Sequence, residues 1–222
     1  VSGSGRTGPA DPPPPAIADL AGIVAFLQAA ERLKDTLRSG HSAGGRPEST
    51  AEHSWRLCLL ALLLDRHLAG IDLLKLLKLC IVHDLGEAIS GDIPATEQTQ
   101  GDGKATRERA DLELLAAPLP VAERDAILGL WDEYDAARTP EAVLAKGLDK
   151  IETVLQHAIG ANPADFDYGF NLSYGAERTA AHPLLVALRG IADAATRARM
   201  GADGPGRRTG GRAGPSPGLT TE

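Results

Sequence analysis

Between a proline-rich beginning and a glycine-rich end, apolar residues recur every three or four positions, the spacing that lines one face of a helix. Neither strand-like alternation nor a repeat of fixed period interrupts that pattern. The expected architecture is therefore an all-α helical bundle. A first helix is predicted from Ile17 to Leu37, stopping at Ser39-Gly40 before a loop that contains Gly44-Gly45 and Pro47. The second helix has a sharper start, because Ser49-Thr50-Ala51-Glu52 reads as a capping box in which serine and glutamate satisfy each other's backbone N–H groups. That box sets His53 in the opening turns. A third helix is expected to run from Leu73 through Ser90, with Asp72 as its N-cap and Gly91 as its stop. Further helices are predicted near 105–116, 121–137, 140–159 and 183–200. The stretch from Asn162 to Gly175 holds Phe166, Tyr168, Phe170 and Tyr174, four of the eight aromatics, and reads as an ordered loop that packs on the bundle or serves as a lid.

Composition sharpens the boundaries. Residues 1–15 and 201–222 are dominated by glycine and proline and are expected to be a disordered leader and tail around one domain over 16–200. The net charge of −7 leaves no broad basic face for a nucleic-acid polymer, so any phosphate ligand would need local cations. Arg207, Arg208 and Arg212 in the tail read as solvated charges. Cys58 and Cys80 both fall inside apolar helical patterns, and the first residues lack the apolar run of a signal peptide, which points to a reducing cytoplasm. No apolar run approaches the roughly 18 residues of a membrane span.

Ionisable residues intrude on the apolar faces. His53 shares a stripe with Leu57, Leu60 and Leu64, and alone it would read as a core histidine bonded to a carbonyl. His83 and Glu87 continue the stripe of Leu76, Leu79 and Cys80, with Asp84 beside it. Buried carboxylates require a cation, donors or solvent, and two imidazoles with a carboxylate can meet that need by holding a divalent metal. Asp149 borders the stripe Leu144, Leu148, Ile151, Leu155; by spacing alone it is either a fourth ligand or half of a boundary salt bridge.

The ordered set Glu52-His53-Ser54, His83-Asp84-Leu85-Gly86-Glu87, Gly91-Asp92-Ile93-Pro94 and Leu148-Asp149-Lys150 resembles the HD-domain metal-dependent phosphohydrolases, and within them the 5′-deoxynucleotidases. The likeness extends from about Ala18 to Leu188 and includes Leu130-Trp131-Asp132-Glu133-Tyr134. It implies an HD helical bundle with one divalent ion, manganese, cobalt, zinc or iron, on His53, His83, Asp84 and Asp149. It further implies that Arg38 grips the substrate phosphate, that Glu87 and Asp92 work beside the metal, and that Asp92 lies near the sugar. Arg38, at the expected end of helix one, could instead cap helix carbonyls. Glu87 could accept from a ligand histidine, and Lys150, about 100° around the helix from Asp149, supports the phosphate or pairs with an acid.

The implied reaction is hydrolysis of a phosphomonoester, a nucleoside 5′-monophosphate, by water activated on the ion. Few basic residues surround the motifs, which favours a monophosphate over a polyphosphate. The alternatives are another phosphorylated metabolite of a biosynthetic pathway, or a non-catalytic metal-binding helical module. A homodimer is implied by the resemblance alone. Relatives carry an aromatic soon after the arginine, whereas here Ser39-Gly40-His41 follows Arg38, leaving base and sugar preference open.

Overall fold

In a computed structural model the chain is described at residue 14 and over residues 16–93 and 103–202. The leader and tail fall outside these residues, save Pro14 and Gly201–Ala202, as does Pro94. Helices dominate: α1 (Ile17–Ala30), α2 (Thr50–Leu63), α3 (Leu73–Val82), α4 (Glu87–Ser90), α5 (Lys104–Ala116), α6 (Val121–Ala136), α7 (Pro140–Ile159), α8 (Tyr168–Asn171), α9 (Ala176–Thr179) and α10 (Pro183–Ala202). None is long and apolar enough to cross a membrane among the described residues.

The strut of the bundle is α7. Thr139 caps it, accepting from Ala142 N, and Pro140 occupies the first turn, where its missing N–H costs nothing. Its buried Leu144, Leu148 and Ile151 pack with Leu57 and Ala61 of α2, Leu76 and Leu79 of α3 and Leu185 of α10 into one core. A second cluster joins Phe26, Val82, Leu85, Leu112, Leu115 and Trp131 where α1, α5 and α6 meet.

Two expectations need correction. The first helix ends at Ala30, passes through a 3-10 turn at Glu31–Lys34, and gives way to an antiparallel hairpin, β1 (Leu37–His41) with β2 (Pro47–Ser49). Arg38 is therefore a strand residue and not the end of a helix. The hairpin owes its place to groups distant in sequence: Gln156 Nε2 donates to His41 O at 2.7 Å and His41 N donates to Asn162 Oδ1 at 3.0 Å. The alternation of β1 turns Arg38 and Gly40 inward while Leu37 and Ser39 stay exposed.

The helix expected over 73–90 also breaks, leaving His83 to Gly86 as a tight turn between α3 and α4. His83 Nδ1 competes for Cys80 O, and Leu85 N, Glu87 N and Ala88 N each bond three residues back. Gly86 lets this turn lie against α5, since a Cβ there would stand 2.4 Å from Glu108 O. The loop expected over 162–175 contains the single turn α8.

Candidate metal centre and cleft

His53, His83, Asp84 and Asp149 converge from three segments. The capping box fixes the first: Glu52 N donates to Ser49 Oγ at 3.3 Å and Ser49 N to Glu52 Oε2 at 3.0 Å, so α2 starts where it delivers His53 into the core. His53 Nε2 lies 3.2 Å from Asp149 Oδ1 and 3.8 Å from Asp84 Oδ2; His83 Nε2 lies 3.0 Å from Asp84 Oδ2. The two rings meet edge to face with centroids 5.5 Å apart. His53, His83 and Asp149 are buried, and Asp84 opens towards the cleft.

The other edge of each imidazole is already engaged. His83 Nδ1 donates to Cys80 O at 2.8 Å, and His53 Nδ1 bonds the carboxylate of Glu152. Protons held on both Nδ1 atoms leave lone pairs on both Nε2 atoms, which are buried and without a hydrogen-bond partner. Buried lone pairs turned towards carboxylates form a donor set that a cation completes. His53, His83 and Asp84 can each offer one ligand atom within 4.8 Å of the others, and Asp149 faces His53 as well. Nitrogen and carboxylate donors of this kind fit a divalent transition metal.

Without a metal, a proton on His53 serves the same balance. Burial and the Arg38 charge oppose the imidazolium, yet the neighbouring carboxylates of Asp149 and Glu152 carry its pKa up to about 9. Burial works against the Asp149 carboxylate too, but Lys150 and His53 hold it well below the usual range; Tyr134 Oη donates to its Oδ2 at 2.8 Å. His83 and Arg38 do the same for Asp84, again against burial.

Arg38 enters from β1. Its Nη1 is 3.4 Å from Asp84 Oδ2, its Nη2 donates to Thr153 Oγ1 at 3.1 Å, and its Nε is 3.7 Å from Glu48 Oε2. Burial disfavours its charge, but Asp84, Asp92 and Asp149 raise its pKa further, so the guanidinium stays cationic. Glu87 is buried at the start of α4; burial, Asp84 and Asp92 push its carboxyl up to about 10, and Thr50 Oγ1 donates to its Oε2 at 3.3 Å. Lys104 stands 3.6 Å from Glu87 Oε1 and 3.8 Å from Asp92 Oδ1.

These groups line a cleft of about 670 Å³: of the residues singled out in the sequence, Arg38, His83, Asp84, Glu87, Asp92, Asp149 and Lys150 reach it, while His53 is sealed behind them. Lys150 takes the second of its two expected roles, pairing with an acid, since its long stem returns Nζ to within 2.9 Å of Asp149 Oδ2. Asp149 is thus both partner of a lysine and neighbour of His53. Lys104, Lys146 and Arg178 also line the cleft, more cations than the motifs disclose, although Lys104 and Lys146 pair with Glu108 and Asp135. Sequence reasoning missed Glu152, Thr153 and Glu48. Glu152 had a signal, three residues after Asp149 on the same helix face; Glu48 had none.

A family model for the HD domain matches residues 30–187. The chain belongs to the HD-domain family. This HD-domain chain is 35% identical over 140 residues to the 5′-deoxynucleotidase hdd1 of Schizosaccharomyces pombe, an alignment covering 60% of this chain and 70% of that one. Against the 5′-deoxynucleotidase HDDC2 of Dictyostelium discoideum the identity is 31% over 145 residues, or 62% and 76% of the two chains. Among solved structures, a predicted metal-dependent phosphohydrolase from Magnetospirillum magnetotacticum MS-1 superposes with a TM-score of 0.65 at 25% identity, covering 82% of this HD-domain chain and 96% of that one.

Proposed function

We propose that this HD-domain phosphohydrolase is a metal-dependent 5′-deoxynucleotidase that releases phosphate from deoxynucleoside 5′-monophosphates. The observation that carries the reading is the pair of buried, unbonded Nε2 atoms of His53 and His83 facing Asp84 and Asp149 at the foot of a cleft under Arg38. His53, His83, Asp84 and Asp149 would hold the ion. When bound, a divalent cation supplies Lewis-acid charge for the phosphoryl oxygens and acidifies water.

The chain's own groups divide the remaining work. Arg38, fixed by Thr153 and Glu48, would bind the phosphate and stabilise the charge that grows on its equatorial oxygens. Lys150 adds a second cation beside Asp149. Glu87, whose carboxyl is pushed up by burial, Asp84 and Asp92, would deliver a proton to the leaving 5′ oxygen, and Asp92 on the same wall would accept one from water. Of the three further cations of the cleft, Lys104 and Lys146 are paired with carboxylates, which supports a monophosphate over a polyphosphate chain.

Phosphate release from a panel of deoxynucleoside and nucleoside monophosphates, diphosphates and sugar phosphates, assayed with defined metals, tests the reading. Deoxynucleoside monophosphates are expected to lead the panel, and His83→Ala and Asp149→Ala to cut kcat by at least about a hundredfold. Undiminished turnover in both variants would remove the metal assignment. Bound metal with no turnover on any ester would make the chain a binding module.

A further inference from the structure

The ionic groups account for one part of the cleft, and its volume is far more than a phosphate occupies. The segment after α7 brings Phe166, Phe170 and Tyr174 to the lining. Phe166 is committed to packing, with its ring centroid 4.8 Å from His157 and 4.9 Å from Tyr168. Phe170 differs. Among the described residues its ring contact is Tyr174, at 5.3 Å and 31° between planes, and like Phe166 it is half-buried.

Tyr174 links this pair to the centre. Lys150 Nζ sits 5.1 Å from the Tyr174 centroid and 2.9 Å from Asp149 Oδ2, so a single ammonium group stands between the aromatic pair and the metal-site carboxylate. Gly175 secures the arrangement. Its φ of +64° and the 2.6 Å that would separate a Cβ from Lys150 Cγ mean that only glycine lets the chain turn this close to the lysine stem. A ligand that suits both ends carries an anion at one and a flat ring with apolar faces at the other.

We propose that Phe170, backed by Tyr174, is the shelf on which the substrate's nucleobase stacks, and so a specificity-determining residue. The proposal rests on the phosphomonoesterase reading above. Such a shelf senses the presence of a base more than its identity, because every base has a π-face.

Steady-state kinetics of the full chain with dAMP, dCMP and the base-free ester 2-deoxyribose 5-phosphate tests it. Phe170→Ala is expected to raise KM for both nucleotides roughly tenfold or more while kcat stays within about twofold, with kcat/KM for the sugar phosphate also within about twofold. Phe170→Leu keeps apolar volume without a π-face and is expected to follow alanine, whereas Phe170→Trp restores the nucleotide KM. Equal losses on nucleotides and sugar phosphate, or wild-type KM in the leucine variant, would overturn the shelf and leave the phosphatase reading standing. A wild-type enzyme that cleaves the sugar phosphate but neither nucleotide sinks the shelf and the nucleotide assignment together. One that cleaves no phosphomonoester sinks the underlying reading, and the shelf with it.

Discussion

His53 shows how one side chain is made to serve a cation. Its Nδ1 edge is committed to Glu152, and its Nε2 edge is left to the carboxylates of Asp149 and Asp84. With a pKa near 9 against an ordinary 6.5, the imidazole of the metal-free protein is charged at neutral pH. The sign follows: the folded-state pKa is raised, so its stabilisation is complete below about pH 6.5 and is lost as pH climbs through about 9, on the order of 3 kcal/mol. Thermal melts of metal-free protein are expected to show Tm falling across that window, where the raised carboxyl of Glu87 adds a fall of the same sign that Glu87→Gln removes. Metal-loaded protein, in which the ion replaces the proton, is expected to show a smaller decline, and metal uptake at pH 7 should release about one proton, measurable by calorimetry in buffers of different ionisation enthalpy. A Tm of the metal-free protein that is flat across the window would refute the charged imidazole. Glu152→Gln keeps the shape but loses the negative charge that fixes the ring. It is expected to weaken metal affinity about 10- to 100-fold, read by competition with a chelator.

At the scale of elements, the turn at His83–Gly86 matters more than the helices it joins. In this turn Asp84 Oδ2 lies 3.0 Å from His83 Nε2, and the chain then starts α4 with Glu87 on the cleft wall. Gly86 permits this by lying on Glu108 O, and the backbone oxygen has little room to give. Gly86→Ala is expected to cost about 1–3 kcal/mol by overpacking and to lower metal occupancy, checked by thermal melts and metal analysis of one preparation. The helices with long apolar periods, such as 140–159, were legible because a deeply buried face leaves its spacing in the sequence. The hairpin was not. Its strands are five and three residues long, and Gln156 and Asn162, more than a hundred positions away, hold it. The break after Val82 escaped notice for a related reason: the competing acceptor bond of His83 and the contact of Gly86 belong to the packed molecule, not to the local pattern.

Across the whole molecule, the two imidazoles and Asp84 could be picked out beforehand because ionisable residues on apolar stripes demand an explanation, whereas Asp149, ambiguous by spacing, came from the family resemblance. The ring of groups around them could not. Glu48, Lys104 and Thr153 are unremarkable in sequence and gain meaning only when the hairpin, α5 and α7 are brought to one cleft. The helix α7 gathers most of them: Asp149, Lys150, Glu152, Thr153, Gln156 and His157 point respectively at His53, the aromatic pair, the back of His53, Arg38, the hairpin and Asn171. It acts as an indexing shaft, with every attachment keyed to one rotation. Identity can change at any one key and disturb one attachment. A change of length between Asp149 and His157 would dephase them all, turning the downstream set by about 100° per residue against the upstream. The part of this chain least able to tolerate insertion is therefore a plain helix in the middle of the core, and the loops around the cleft are where new substrate preferences have room to arise.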